Sequence, residues 1–295
     1  MFVKSKFLVR LRLLTKSLGL TSCRNMSMFK GTVRTLDTGV GFIPHMEKRH
    51  KGGEDAYCTS DTMVAVADGV GGWADSGVDP ALYSRRLCLN IKDRYLKDRD
   101  KGIDAIHSTL NNPKELLTRA VEETRERGSS TAVICMLDSQ KDYLHTANLG
   151  DSGYILLRKS GYDLITLFRS KEQTHGFNFP YQVGVGGDDP QSADVKVHEV
   201  QNNDILVVGT DGLFDNMYDK QITEVISPFI KEQDDLLDAG LVADMLSKQA
   251  EKLSLNTNWN SPFAKSAYDH FYDYKGGKHD DITVLVSQIR IKHIE

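Results

Sequence analysis

The stretch TMVAVADGVGGW, from Thr62 to Trp73, holds the pattern on which the fold assignment depends. Its first half is a short apolar run of β-type residues, so Met63–Ala67 is predicted to form a strand. Asp68 ends the run, and the glycines after it allow the backbone to turn or to approach a ligand closely. An isolated Asp-Gly pair is more often a simple turn than a metal site, so this stretch alone assigns no function.

The same arrangement occurs at three further places. A carboxylate stands at the end of a β-type run, beside turn residues, in GGEDAY, DILVVGTDGLFDN and GKHDDITVLV. The acidic residues at these places are Glu54, Asp55, Asp211, Asp280 and Asp281. Mg²⁺ and Mn²⁺ prefer oxygen ligands, and Mg²⁺ keeps several waters, so few carboxylates suffice for two ions. Two such ions, about 3.5–4 Å apart, can share a hydroxide and clamp a phosphoryl group.

Short strands in adjacent pairs and a few helices surround these acidic stretches. The predicted strands are Met63–Ala67, Thr131–Leu137, Tyr143–Asn148, Tyr154–Arg158, Asp204–Gly209 and Ile282–Ile289. The predicted helices follow Asp79-Pro80 and Asn112-Pro113, which have N-cap and first-turn residue types, and cover Leu236–Leu253. Adjacent short strands favour antiparallel pairing, and helices grouped in two regions argue against a βαβ repeat. The residues therefore predict an α+β sandwich.

Composition excludes several classes of protein. Apolar residues make up 40% and charged residues 26% of the 295 positions, which is typical of a soluble globular chain. The net charge of -4 provides no basic field for nucleic acid, and no apolar run is long enough for a transmembrane segment. The cysteines form no CxxC pair and are predicted to be reduced; they are Cys23, Cys58, Cys88 and Cys135.

The first 36 residues have a different charge pattern from the rest. They contain no Asp or Glu, while basic residues alternate with apolar residues such as Phe7 and Leu11. A helix here would be basic and amphipathic, which is typical of a mitochondrial targeting segment. The alternative is a disordered basic tail. We predict a targeting segment over 1–36 and one catalytic domain over 37–295.

Six blocks in order resemble the metal-dependent protein phosphatases of type 2C, over roughly residues 37 to 290. They are GGEDAY, VAVADGVGGW, GSSTAVICML, ANLGDSGYILLR, LVVGTDGLFDNM and GKHDDITVLV. The stretches GVDPALYS, QTHGFNFPYQ and SPFA are similar to the small mitochondrial branch of that family associated with coenzyme Q metabolism. The resemblance implies a four-layer α/β/β/α sandwich of two mainly antiparallel sheets, with Mg²⁺ or Mn²⁺ in a cleft at one edge.

The resemblance also implies a ligand set. Asp68 would bridge two ions, Asp211 and Asp280 would hold one of them, and Glu54 with the Gly69 carbonyl would hold the other. Asp151, in GDSG, matches the acidic position associated with a weaker third metal ion, or is a turn aspartate. Asp280 is favoured over Asp281, because the family pattern places an asparagine at the second position. Asp55 is either a ligand or a neighbour of the ligands.

Two features depart from the family pattern. Val70 stands where many members have a histidine that is proposed as general acid, so a metal-bound water or a nearby side chain such as His50 is considered for that role instead. The arginine that clamps phosphate in the family is displaced by about one residue, which makes Arg49 the candidate, with Lys48 and Lys51 as alternatives.

A further segment, Lys171–Asp189, falls where the family has a substrate-facing flap. Its aromatic residues either contact a protein substrate or belong to the core.

These observations predict a monomeric phosphatase of the mitochondrial matrix. It would remove phosphate from serine or threonine of phosphoprotein substrates through a water activated by two metal ions. The alternative is a binding or scaffold protein that keeps the fold with little turnover. A metal-dependent nuclease is disfavoured, because the chain lacks a basic stripe for nucleic acid.

Overall fold

The computed structural model describes residues 31–102, 108–230 and 235–294. Most of the predicted targeting segment, residues 1–30, therefore lies outside the described residues. Residues 31–36 belong to the first strand, which continues to Ile43, so the predicted division after residue 36 falls within a strand.

Fourteen strands are present in the described part of the chain. They are β1 (Gly31–Ile43), β2 (Asp55–Thr59), β3 (Met63–Asp68), β4 (Ser129–Ser130), β5 (Ala132–Leu137), β6 (Tyr143–Leu149), β7 (Gly153–Ser160), β8 (Asp163–Arg169), β9 (Thr174–Gly176), β10 (Phe179–Pro180), β11 (Val183–Gly184), β12 (Asp194–Glu199), β13 (Ile205–Gly209) and β14 (Ile282–Ile294). Each of the six predicted strands is confirmed to within two residues at its start, and β14 continues five residues beyond its predicted end.

Six α-helices accompany them in the described residues. They are α1 (Pro80–Lys101), α2 (Pro113–Glu123), α3 (Asp211–Phe214), α4 (Asp219–Ile226), α5 (Ala239–Ser254) and α6 (Pro262–Asp269). The predicted starts after Asp79 and Asn112 are confirmed, because their side chains accept hydrogen bonds from backbone N–H groups of the first turns. The third predicted helix, Leu236–Leu253, begins three residues later, at Ala239, after the N-cap Asp238. None of the described helices combines the length and the apolar character needed to cross a membrane.

Two five-stranded antiparallel sheets pack face to face. Sheet I has the order β1-β14-β13-β7-β8, and sheet II has the order β12-β6-β5-β3-β2. Helices α1 and α2 cover the outer face of sheet II, and α5 packs on β1 and β14 of sheet I. The predicted α+β, four-layer sandwich is therefore confirmed.

The alternation of side chains in β3 explains this layering. Met63, Ala65 and Ala67 join the buried cluster beneath α1 and α2. Val64 and Val66 point the other way, into the cluster between the two sheets. Successive side chains of a strand face opposite sides, so a strand that is apolar on both faces must be covered on both.

Strand register brings the acidic strand ends to one edge of the sandwich. Asp55 at the start of β2 lies opposite Asp68 at the end of β3. In the other sheet, Gly209 at the end of β13 pairs with Gly153 and Val284. The residues that precede or follow these positions, including Asp151, Asp211 and Asp280, consequently meet at this edge.

Candidate active site

A cavity of about 300 Å³ opens at the edge where these strand ends meet. Its lining combines carboxylates, lysines, a glycine turn and part of the flap: Lys48, Glu54, Asp68, Gly69, Val70, Gly71, Gly72, Thr131, Asp151, Asn178, Pro180, Asp211, Lys278 and Asp280. All six residues that the sequence suggested as metal ligands are in this lining. We refer to this space as the catalytic cavity.

Three of its carboxylates already have the spacing of a metal site. One oxygen each from Asp68, Asp151 and Asp211 lies within 4.8 Å of the other two. The Oδ1 atoms of Asp151 and Asp211 are buried and have no hydrogen-bond partner among the described residues. Burial, followed by repulsion from neighbouring carboxylates such as Asp55 and Asp211, raises the pKa of Asp68 well above its usual value. A divalent cation would satisfy these oxygens and remove the repulsion.

Lys278 lies within this acidic group. Its Nζ donates to Oδ2 of Asp215 at 2.8 Å, lies 3.1 Å from Oδ2 of Asp280, and also contacts Asp211. Burial lowers the pKa of Lys278, but the three carboxylates together raise it well above its usual value. The ammonium group thus has three acceptors for its three N–H bonds. Sequence reasoning missed Lys278, although it stands two residues before Asp280 in GKHDD.

Glu54 lies at the other end of the catalytic cavity. Its carboxylate accepts from Lys48 at 2.5 Å and from Lys51 at 2.9 Å. The backbone carbonyl of Glu54 accepts from the Gly69 N–H at 3.2 Å and from the Ser84 hydroxyl at 2.5 Å. A side chain at Gly69 is excluded, because an added Cβ would come within 2.7 Å of the Glu54 carbonyl oxygen. This close approach holds the Glu54 loop against the glycine turn after Asp68.

The two adjacent aspartates before β14 have different surroundings. Asp280 lines the catalytic cavity, whereas the side chain of Asp281 accepts from the backbone N–H groups of His45 and Glu54 at 2.7 and 3.0 Å. Asp55 is turned inward and accepts from the hydroxyls of Thr210 and Thr283 at 2.8 and 2.7 Å. Asp281 and Asp55 therefore fix the loops that carry the cavity's carboxylates.

The structure does not bring Arg49 and His50 to the catalytic cavity. Arg49 is half exposed and pairs with Glu251 on α5, and His50 places Nδ1 2.9 Å from the Glu47 carbonyl oxygen. Both lie in the 3-10 turn Met46–Lys51, whose tight geometry points successive side chains in different directions. Lys48 of the same turn does line the cavity. The alternatives Lys48 and Lys51 are thus nearer to the carboxylates than Arg49 is.

Comparisons of the sequence with known proteins all point to one family. The family model described as Stage II sporulation protein E matches residues 59–290. A probable protein phosphatase 2C 80 of Arabidopsis thaliana is 39% identical over 86% of this chain and 58% of its own length. A protein phosphatase PTC7 homolog of Danio rerio is 38% identical, with 77% of each protein covered.

Comparison with solved structures agrees with this family assignment. The photosystem II phosphatase PBCP is 33% identical, with 86% of this chain and 99% of that chain covered and a TM-score of 0.75. The chain belongs to the protein phosphatase 2C family, and its likeness to PTC7 homologs supports the small PTC7-like branch. It spans only 58% and 52% of the lengths of the two Arabidopsis relatives, 2C 80 and 2C 55.

Proposed function

We propose that this protein is a metal-dependent protein serine/threonine phosphatase that acts on mitochondrial phosphoproteins. The observation that carries the proposal is the group formed by Asp68, Asp151 and Asp211, whose oxygens converge within 4.8 Å at the edge of the sandwich. The donor set of carboxylates and a backbone carbonyl suits Mg²⁺ or Mn²⁺, because both prefer oxygen.

The residues of the catalytic cavity divide into two groups in this proposal. Asp68 would hold both ions, one together with Asp211 and Asp280 and the other together with Glu54 and the Gly69 carbonyl. Asp151 would hold a weaker third ion. Ions held in this way supply Lewis acidity that lowers the pKa of a water and neutralises phosphoryl charge.

Lys48 is proposed to be the phosphate-binding cation. Its Nζ lies 2.5 Å from Glu54 and 3.4 Å from Asp281, at the mouth of the catalytic cavity. An ammonium at that place can turn from a carboxylate to a phosphate oxygen without moving its backbone. Arg49, engaged with Glu251 outside the cavity, requires a change of rotamer to take this role.

The cellular part of the proposal has two supports. The Danio rerio and Drosophila ananassae relatives are PTC7 homologs, the branch that the sequence resembles. The first 36 residues carry basic and no acidic side chains, as matrix-targeting segments do. Import of a tagged full-length chain into isolated mitochondria, with shortening that depends on membrane potential, tests this part; retention outside contradicts it.

The chemical part is tested with purified protein and Mn²⁺ on a phosphothreonine peptide. We expect Asp68→Asn and Asp211→Asn to reduce kcat by about a hundredfold or more, because each removes charge from the ion site. Asp163→Asn, at the exposed first residue of β8, is the matched control. Equal turnover by all four proteins contradicts the ion site, and no turnover by wild type favours the scaffold alternative.

A further inference from the structure

A second cleft adjoins the catalytic cavity. Its volume is about 100 Å³, and it lies between the flap, the end of α3 and α6. Asp151 and Asn178 line both spaces. A peptide with its phosphorylated residue in the catalytic cavity can therefore place a neighbouring residue at this cleft. We call it the flap cleft.

Aromatic rings form the walls of the flap cleft. The ring of Phe177, from the flap, lies 5.0 Å from the ring of Phe263, measured between centroids, and 5.5 Å from that of His270. Tyr272 stacks on Phe177 from the rim, at 4.7 Å. The faces of such rings carry partial negative charge and attract cations.

The charged groups of the flap cleft are carboxylates. Asp151, Glu172 and Asp215 line it, and no lysine or arginine does among the described residues that form its walls. Asp215 pairs with Lys278 at 2.8 Å, and Asp151 belongs to the proposed ion site, which leaves the exposed Glu172 as the acceptor for an incoming cation.

The rim beyond the flap cleft is a continuous exposed segment that contains several aromatic residues. Every residue from 268 to 275 is exposed, including Tyr268 at 79%, Phe271 at 99% and Tyr272 at 58%. Phe271 also has a φ of 66°, a backbone conformation that L-residues rarely adopt. Exposed aromatic patches mark interaction surfaces, and strained residues cluster at such sites.

We propose that the flap cleft binds a basic side chain of the phosphoprotein substrate, close in sequence to the phosphorylated residue. The guanidinium or ammonium group lies against Phe177 and pairs with Glu172, while the adjoining peptide crosses Phe271 and Tyr272. This inference rests on the proposed phosphatase activity and adds a substrate class to it: phosphoserine or phosphothreonine beside arginine or lysine.

Matched peptides test the proposal. Each phosphothreonine peptide carries one arginine, moved in turn through the flanking positions, and has a partner with citrulline at the same place, which keeps the shape and removes the charge. We expect kcat/KM for arginine to exceed that for citrulline by about tenfold at one or two positions. Equal values at every position overturn the proposal.

Two variants test whether the preference for arginine arises at the flap cleft. Glu172→Gln removes charge and Phe177→Leu removes the ring face, so each is expected to bring the arginine-to-citrulline ratio close to unity. The ratio is read within each variant, which cancels any change in the chemical step. Tyr162→Ala, at an exposed aromatic residue in the β7–β8 turn, is the matched control and keeps the wild-type ratio. A preference unchanged in both cleft variants overturns the assignment to this cleft.

Failure of this inference can be separated from failure of the proposed function. Hydrolysis of p-nitrophenyl phosphate tests the chemistry without any peptide contact. Fluorescence anisotropy of the same labelled peptides measures their affinity without turnover. An inactive protein that still prefers arginine peptides contradicts only the phosphatase proposal, and an active protein that binds both peptides equally contradicts only the flap cleft.

Discussion

At the residue scale, the cations that contact the carboxylates of the catalytic cavity are lysines. Lys48 and Lys51 hold Glu54, and Lys278 holds Asp211, Asp215 and Asp280. An ammonium group carries a full charge and does not require its partners to lie in one plane. It therefore exchanges partners more easily than a bidentate guanidinium does. This arrangement neutralises the acidic residues while leaving them accessible to metal ions and phosphate.

The first prediction separates Lys48 from Arg49. Lys48→Met is expected to raise KM for a phosphopeptide about tenfold, because it removes a charge from the mouth of the catalytic cavity. Arg49→Met removes an exposed ion pair with Glu251, so its KM is expected to stay within about twofold of wild type. Steady-state kinetics on one peptide with both variants is the measurement. A larger effect from Arg49→Met restores the arginine clamp that the sequence suggested.

The second prediction concerns Lys278. Lys278→Met is expected to tighten Mn²⁺ binding by about tenfold, because the ammonium no longer competes with the ion for Asp211 and Asp280. Titration calorimetry with Mn²⁺ measures this directly. Lys275→Met, three residues earlier at an exposed position, is the matched control. Weaker Mn²⁺ binding in Lys278→Met contradicts competition and assigns Lys278 to holding the ligands in place.

Sequence alone located the acidic residues of the catalytic cavity but not their cations. Most of these carboxylates were found because each ends a strand run beside turn residues, a local pattern, whereas Asp151 was named only from the family resemblance. Lys278 has no such pattern, and its place among three carboxylates follows only from the pairing of β13 with β14. Similarly, Asp280 and Asp281 are the same residue type and differ only in the direction of their side chains. The path of the backbone before β14 determines those directions.

At the element scale, the packing of α5 on sheet I depends on two glycines of β1. A Cβ added at Gly39 would lie 2.1 Å from the backbone of Ala239, and one at Gly41 would lie 2.2 Å from the Ala243 carbonyl oxygen. The helix therefore lies directly on the strand backbone, a contact that admits no side chain between them. Sequence analysis did not predict β1, in part because these glycines weaken its strand pattern.

The third prediction uses this contact. Gly39→Ala is expected to lower the free energy of unfolding by about 1–3 kcal/mol, because α5 has to move away from β1. Gly31→Ala, in the same strand where no atom lies within 4 Å of an added Cβ, is the matched control. Urea unfolding followed by circular dichroism measures both. Equal stability of the two variants would show that α5 shifts at little cost.

At the scale of the whole molecule, one edge of the sandwich collects negative charge from both sheets. Asp68 ends β3 of sheet II, Asp211 follows β13 of sheet I, and Asp151 lies in the loop that joins β6 of sheet II to β7 of sheet I. Mutual repulsion of these groups opposes the packing of the two sheets at that edge. Metal ions bound there would connect the two sheets in addition to their proposed role in catalysis.

The fourth prediction follows from this connection. Saturating Mn²⁺ is expected to raise the melting temperature by about 5 °C or more, since a ligand at about a hundred times its Kd stabilises by about 3 kcal/mol. Chelation with EDTA should reverse the shift. Asp68→Asn is expected to lose most of it, because that residue lies between the ion positions. A shift of equal size in Asp68→Asn indicates binding elsewhere.

The sequence predicted more of the layered architecture than of the catalytic cavity. Strand runs that are apolar on both faces, such as Met63–Ala67, can be recognised from the local sequence. These runs predicted the sandwich. The ligand roles came from the family resemblance, because they depend on contacts between residues far apart in the chain. Asp55, for example, is acidic and adjacent to Glu54, yet hydrogen bonds from Thr210 and Thr283 turn it away from the cavity.

The interior position of β14 in sheet I has a consequence for how the sheet assembles. This strand is the last one described, it lies between β1 and β13, and Asp280 stands just before it. Until β14 has been made, β1 has no neighbour in sheet I and β13 lacks one of its two neighbours. A chain that stops before Asp280 therefore lacks both this strand and one of the proposed metal ligands, so neither sheet I nor the proposed ion site is complete in it.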